Sequence, residues 1–272
     1  MNERKLKNNV VRYFAITFFI TWLLWLPGVI DSQTSLSIPD AIVLPLAYIG
    51  MFIPSLIGIT FVIKEKQYGI FKKWMNIRLG WYWLIILFLI PLCGLGAHLV
   101  NIIVADGTFP EMPNLLLLPL QFIALLLIGG PVNEEFGWRG YALPKLQTKF
   151  TAFTSSILLG VIWVIWHVPA FFIDEAPQAK LPFVQFSITL IAVSVLMTWV
   201  QNNTGQSLWP ALILHTTMNF TNEIFPLFNS DTNNYTPWIF ANIILVIVTL
   251  IVILYYGTDL LPKKVNEYCL RQ

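Results

Sequence analysis

Of 272 residues, 57% are hydrophobic and only 11% charged, with a mean hydropathy of +0.70. A soluble domain carries about a quarter charged residues, so this chain lacks the polar surface to cover a water-soluble globule. The net charge of +2 is unremarkable and no nucleic-acid partner is expected; two cysteines, Cys93 and Cys269, make neither a disulfide framework nor a zinc-finger spacing.

A membrane-crossing helix needs about 20 mostly apolar residues. Runs of that kind recur over 10–28, 41–63, 81–104, 114–132, 153–173, 182–201, 207–225 and 237–257. Pro and Gly interrupt several of them, which membrane bundles tolerate. The first run follows a basic stretch but is long and lacks a small-residue cleavage site, so it reads as a signal anchor kept as the first span. The expectation is an all-α polytopic transmembrane bundle of about eight spans, a single membrane domain over 1–272 without internal repeats. The less apolar segment 133–150 is expected to prolong the fourth helix and end in an interfacial piece.

Lys and Arg orient such a bundle. Arg4, Lys5, Lys7 and Arg12 precede the first run, and Lys64, Lys66, Lys72, Lys73 and Arg78 separate the second from the third. Arg139, Lys145 and Lys149 follow the fourth, and Lys263, Lys264 and Arg271 follow the last. The other side holds Lys180 among Asp31, Asp40, Asp106, Glu111, Asp174, Glu175, Glu223 and Asp231. Both termini are therefore expected to be cytoplasmic.

Charged side chains inside a span cost roughly 2.5–3.5 kcal/mol each at its centre and usually face the bundle interior. Three stretches break the apolar pattern. In NEEFGWR, Glu135 and Arg139 lie four apart and share a helical face, whereas Glu134 points about 100° away and is left free to act on water. The plain reading is that both carboxylates mark the end of a span. In WVIWHVP, His167 sits late in the fifth run, where a lone histidine bonded inside the bundle is the ordinary case. In LILHTTMNF, His215 and Asn219 project from one face, a spacing that suits joint hydrogen bonding to one ligand oxygen; interhelical bonding is the plain alternative. His98 has no polar partner at helical spacing and reads as structural.

Together the three stretches make a hydrolytic set. A glutamate in an apolar site is a general base toward water, a histidine orients that water or carries a proton, and His and Asn donors stabilise an oxyanion. No serine or cysteine holds a comparable position, so water is the expected attacker.

These residues resemble the CAAX-processing and bacteriocin-processing (CPBP) intramembrane endopeptidases, in motifs and in order. Glu134-Glu135-Phe136-Gly137-Trp138-Arg139 is similar to that family's Glu-Glu-x-x-x-Arg motif. Trp163-Val164-Ile165-Trp166-His167 is similar to its aromatic-x-x-x-His motif, where Phe is the more frequent first residue, and His215-Thr216-Thr217-Met218-Asn219 to its last. The resemblance covers residues 115–225. It implies an endopeptidase acting on a membrane-associated protein or peptide near its C-terminal side, in the lipid bilayer, with prenylated CaaX proteins, bacteriocin maturation or self-immunity as settings. It further implies that Glu134 and His167 activate water, that His215 and Asn219 form the oxyanion site, and that Glu135 and Arg139 brace the helix. The family has been described both with and without a metal. Glu134, His167 and His215 supply the three ligands a catalytic zinc takes, but there is no H-E-x-x-H, and the metal-free mechanism is the expectation.

Competing readings are a proton- or solute-coupled transporter, since Glu, His and Arg also line ion pathways, and a non-catalytic immunity or peptide-binding protein. Transporters often carry inverted repeats, which this chain lacks. The ending Cys269-Leu270-Arg271-Gln272 has CaaX spacing, but Arg271 is a poor aliphatic position and the match reads as coincidence. Oligomeric state is not fixed by the sequence.

Overall fold

Proline, glycine and long apolar runs set the course of this chain. The computed structural model describes residues 3–111, 113–228 and 234–261, with the side chains of 3–8 outside the description. The expectations resting on Arg4, Lys5, Lys7, Asp231, Lys263, Lys264, Arg271 and the Cys269–Gln272 ending lie outside the described residues or side chains. Among the described residues the elements are helical and no β-strand forms.

Six helices are long and apolar enough to cross a membrane. They are α1 (Glu3–Gln33), α2 (Asp40–Lys64), α4 (Tyr82–Ala105), α8 (Ala152–His167, prolonged by a 3-10 turn Val168–Phe172), α9 (Phe183–Asn203) and α11 (Thr236–Tyr256). The chain is a multi-pass membrane protein. A short α3 (Gly69–Trp74) lies between α2 and α4. The remaining two apolar runs are not single long helices. Residues 207–225 form α10 (Trp209–Ile224), 16 residues long, and 114–132 give only α5 (Leu118–Ile128), 11 residues long.

The fourth run does not continue unbroken, contrary to the sequence expectation. Gly130 adopts φ +120°, a conformation open to glycine and costly for other residues. Pro131, the first residue after it, has no amide hydrogen to carry a helical ladder across the break. The chain restarts as α6 (Pro131–Glu135), loosens into a π-helical segment (Phe136–Ala142) and closes with α7 (Leu143–Leu146). From Asn133 to Leu143 every residue except Phe136 is buried within the bundle. Wide-turn π segments are rare and often mark functional sites.

The restarted segment is seated on α2 by contact of bare backbone. A Cβ on Gly137 would lie 2.1 Å from the Pro54 carbonyl oxygen and 2.3 Å from the Tyr13 hydroxyl, and one on Gly58 would lie 2.6 Å from Gly137 Cα. In lipid, close approach of this kind drives helix association, because burying apolar side chains gains little there. Hydrogen bonds fix the register. Tyr13 donates to Pro54 O at 3.3 Å, and Ser55 donates to Val132 O at 2.9 Å. Pro54 cannot donate to the carbonyl of Gly50, and Thr21 on α1 takes its place at 3.2 Å. At the far end of α2, the nearly buried Glu65 side chain accepts from Tyr141 at 2.7 Å and Asn9 at 2.9 Å, and pairs with Lys145.

Gly137→Ala forces a methyl group into backbone that has nowhere to go, which overpacking series put at about 1–3 kcal/mol. We expect a lower midpoint of thermal unfolding for this variant in detergent. Gly69→Ala, where a Cβ meets nothing within 4 Å, is the matched control and should leave the midpoint unchanged.

Candidate active site

Adjacent glutamates on α6 point in different directions, and each meets a residue four positions on. Glu135 pairs with Arg139, whose Nη1 lies 3.1 Å from the carboxylate oxygens. Glu134 instead accepts from the indole of Trp138 at 3.3 Å. Both glutamates and Arg139 are buried. An ion pair so enclosed is costly to break from one side, about 3–5 kcal/mol, because the charge left behind has no water.

The pairing of Glu135 with Arg139 is the one expected from helical spacing. Glu135 has a second partner that spacing did not reveal: its Oε1 accepts from His215 Nδ1 at 2.8 Å. The carboxylate thus lies between a guanidinium on its own segment and an imidazole on α10. With Nδ1 directed at Glu135, Nε2 is the ring atom left for the site.

Trp163 ties the other elements together. Its Nε1 donates to Glu134 Oε2, the same oxygen that Trp138 binds. Its ring lies 4.4 Å from the Arg139 guanidinium carbon and 5.1 Å, edge to face, from the His215 ring. Its backbone carbonyl faces His167 Nδ1 at 2.9 Å. A carbonyl only accepts, so Nδ1 of His167 carries a hydrogen and Nε2 of the neutral ring is left as an acceptor.

The break in the fourth run forms the floor of the site. A Cβ on Gly130 would lie 3.1 Å from Glu134 Oε1 and 3.1 Å from His215 Nε2. These two atoms therefore face one spot above a residue without a side chain. Asn219 is half-buried one turn beyond His215, and its Nδ2 donates to Gly129 O at 2.8 Å, holding the break closed. His215 and Asn219 each have one protein partner, which leaves His215 Nε2 and the second amide hydrogen and carbonyl oxygen of Asn219.

Trp163, one turn before His167, packs against His215. The turn leading into α10 is drawn inside the bundle, with Ser207 donating to Asn76 O at 2.6 Å and Leu208 N to Trp74 O at 3.3 Å. Ser207 and Leu208 are buried, so α10 starts inside the bundle. His98 takes no part: its Nε2 meets Pro226 O at 3.2 Å and its ring packs on Phe109 and Phe225.

Sequence reasoning passed over the indoles of Trp138 and Trp163 and the role of Gly130. A signal for Trp138 existed, since it follows Glu134 by the same four residues that separate Glu135 from Arg139. Cavities of about 200 Å³ beside Lys73 and Gln201, and about 40 Å³ beside Cys93 and Trp238, are lined by none of the site residues. Among the described residues no three His, Cys, Asp or Glu side chains converge closely enough to hold a metal ion.

The chain is also similar to known proteins. Residues 116–221 match the family described as Rce1-like, type II CAAX prenyl endopeptidase. A protein from Methanococcus maripaludis named CAAX prenyl protease 2 is 29% identical over 245 aligned positions, covering 81% of this chain and 86% of that protein. That similarity runs well beyond 115–225, the segment to which the sequence motifs confined it. The family match spans α5 to most of α10 and so encloses Gly130, Glu134, Glu135, Arg139, His167, His215 and Asn219; over residues 116–221 this chain is similar to the Rce1-like type II CAAX prenyl endopeptidases.

Proposed function

We propose that the protein is an intramembrane endopeptidase that hydrolyses a peptide bond with water activated at Glu134. One observation supports this reading above the others: Glu134 Oε1 and His215 Nε2 face a single spot over Gly130, inside a buried site within the endopeptidase-like segment. In such surroundings charges act at short range through little intervening water, and preorganised donors lower the barrier where charge develops.

In the proposed reaction a water molecule gives a proton to Glu134, with the acceptor Nε2 of His167 orienting it or taking the proton. The hydroxide oxygen bonds to the carbonyl carbon and the π electrons move onto the carbonyl oxygen. His215, protonated on Nε2 and backed by Glu135, donates to that oxyanion, and Asn219 offers its second amide hydrogen. When the oxyanion collapses, the C–N bond breaks and the held proton passes to the leaving nitrogen. The products are a carboxylic acid and an amine, with no acyl-enzyme. The substrate class is a membrane-associated protein or peptide cut near its C-terminal side, and the relative's name points to a prenylated CaaX protein. Both termini lie in the cytoplasm.

Quenched fluorescent peptides, lipidated and unlipidated, test this with purified protein in nanodiscs. Glu134→Ala should lower kcat by at least about a hundredfold, the lower range for losing a general base, while eluting as a folded protein. Full activity in that variant, or its abolition in wild type by a chelator, would overturn the mechanism.

Glu135→Gln should lower both the unfolding midpoint and kcat, because it strands Arg139 and releases His215. Adding Arg139→Met should recover part of the midpoint, since no unpaired guanidinium stays buried, without recovering kcat. An unchanged midpoint and kcat in Glu135→Gln would remove the bracing role.

For orientation, single cysteines at Lys66 and Lys264 in a cysteine-free background should react with an impermeant reagent only from the cytoplasmic side. Labelling from outside would reverse the topology.

A further inference from the structure

The site contains two buried donors that the proposed reaction does not use, both on one oxygen of Glu134. We propose that Trp138 and Trp163 are positioning residues that clamp Oε2 of Glu134 and so make Oε1 the oxygen that works on water, an inference that rests on the reading of Glu134 as the water-activating group.

The geometry carries it. An indole Nε1 is a donor only, and here two of them, from different segments of the chain, donate to the same carboxylate oxygen. The other oxygen, Oε1, is the one that faces Gly130 and His215 Nε2. An unclamped carboxylate exchanges its oxygens by rotating about its last torsion, which is broad and soft. Two donors on Oε2 oppose that rotation and make the oxygens inequivalent.

Neither indole is free to turn. Trp138 is stacked on Phe14 at 6.2 Å between centroids and meets Tyr13 and Trp166 edge to face at 5.7 and 5.9 Å. Trp163 is fixed by the Arg139 guanidinium and by its own place in α8. Both rings are fully buried. Trp163 also binds His167 through its carbonyl, so one residue sets the base and the second imidazole in a common frame. The plain alternative is that the indoles fill space and take the nearest acceptor. Phe in place of either tryptophan keeps most of the ring and removes the donor, which separates the two.

The test uses the full chain in detergent and has two arms. In the first, indole ¹H–¹⁵N correlation spectra resolve the tryptophan side chains, eleven in all. Trp138→Phe and Trp163→Phe each delete one cross-peak and so assign it. Both peaks should lie downfield, as for donors to a charged oxygen, and should move upfield in Glu134→Ala. If Glu134→Ala does not fold, Glu134→Gln, with a neutral acceptor, serves in its place. Peaks that ignore Glu134 would overturn the clamp.

In the second arm, each Trp→Phe variant should lower kcat about 10–100-fold, the range for a hydrogen bond to an ionised group, with KM within about twofold. Retained kcat, or a rise in KM alone, would overturn the positioning role. If wild-type protein cleaves no peptide, the endopeptidase reading falls while the first arm still decides whether the indoles hold Glu134.

Discussion

A carboxylate sealed from water and shared between a guanidinium and an imidazole is the interaction on which this structure turns. Glu135 is fully buried, and its charge is tolerable only because Arg139 and His215 meet it. Those partners come from the π segment and from α10, so the electrostatic requirement of one side chain joins two parts of the chain distant in sequence. Orientation follows from it. An imidazole held at Nδ1 by a carboxylate presents Nε2, as in metal and triad sites where the second nitrogen is set by what binds the first. Arg139 is held in turn by the Trp163 ring, and its carbonyl by Gln201 at 3.1 Å.

The scaffold allows this arrangement because the fourth apolar run is broken where it is. A continuous helix through 129–131 would put a side chain where Glu134 Oε1 and His215 Nε2 face each other. Gly130 removes that side chain, Pro131 restarts the helix, and Asn219 occupies the carbonyl of Gly129 that the break releases. Broken backbone at membrane depth survives only where protein satisfies its polar groups. Here α2 performs that task on the opposite side, through Ser55 on Val132 and the glycine contact at Gly58 and Gly137.

Much of this was legible in the sequence, and what was not has physical causes. Apolar runs of sufficient length gave the helices and the membrane class, because composition alone decides whether a chain can be covered by water. The pairing of Glu135 with Arg139 followed from a spacing of four. The bond from Glu135 to His215 did not, since it joins residues 80 apart and depends on how α10 packs. Gly129-Gly130-Pro131 was visible, but an apolar run continuing on both sides hides a break in a hydropathy reading. The seating of the turn before α10 inside the bundle was not legible either, because it depends on polar Ser207 being satisfied there by the Asn76 carbonyl. The indoles were passed over because tryptophan in a membrane chain is ordinarily read as packing or as an interfacial anchor.

The two adjacent carboxylates show how one spacing yields opposite chemistry. Each meets its partner one turn later, Glu135 an arginine and Glu134 a tryptophan. A guanidinium cancels charge, so Glu135 becomes part of a neutral brace. An indole carries no charge. It stabilises the carboxylate by a dipole and leaves its negative charge in place. Were the two partners exchanged, Glu134 would be neutralised by an ion pair and Glu135 would hold His215 without a counter-charge for itself. The order Trp138-Arg139 after Glu134-Glu135 therefore decides which glutamate keeps its basicity and which one organises the site.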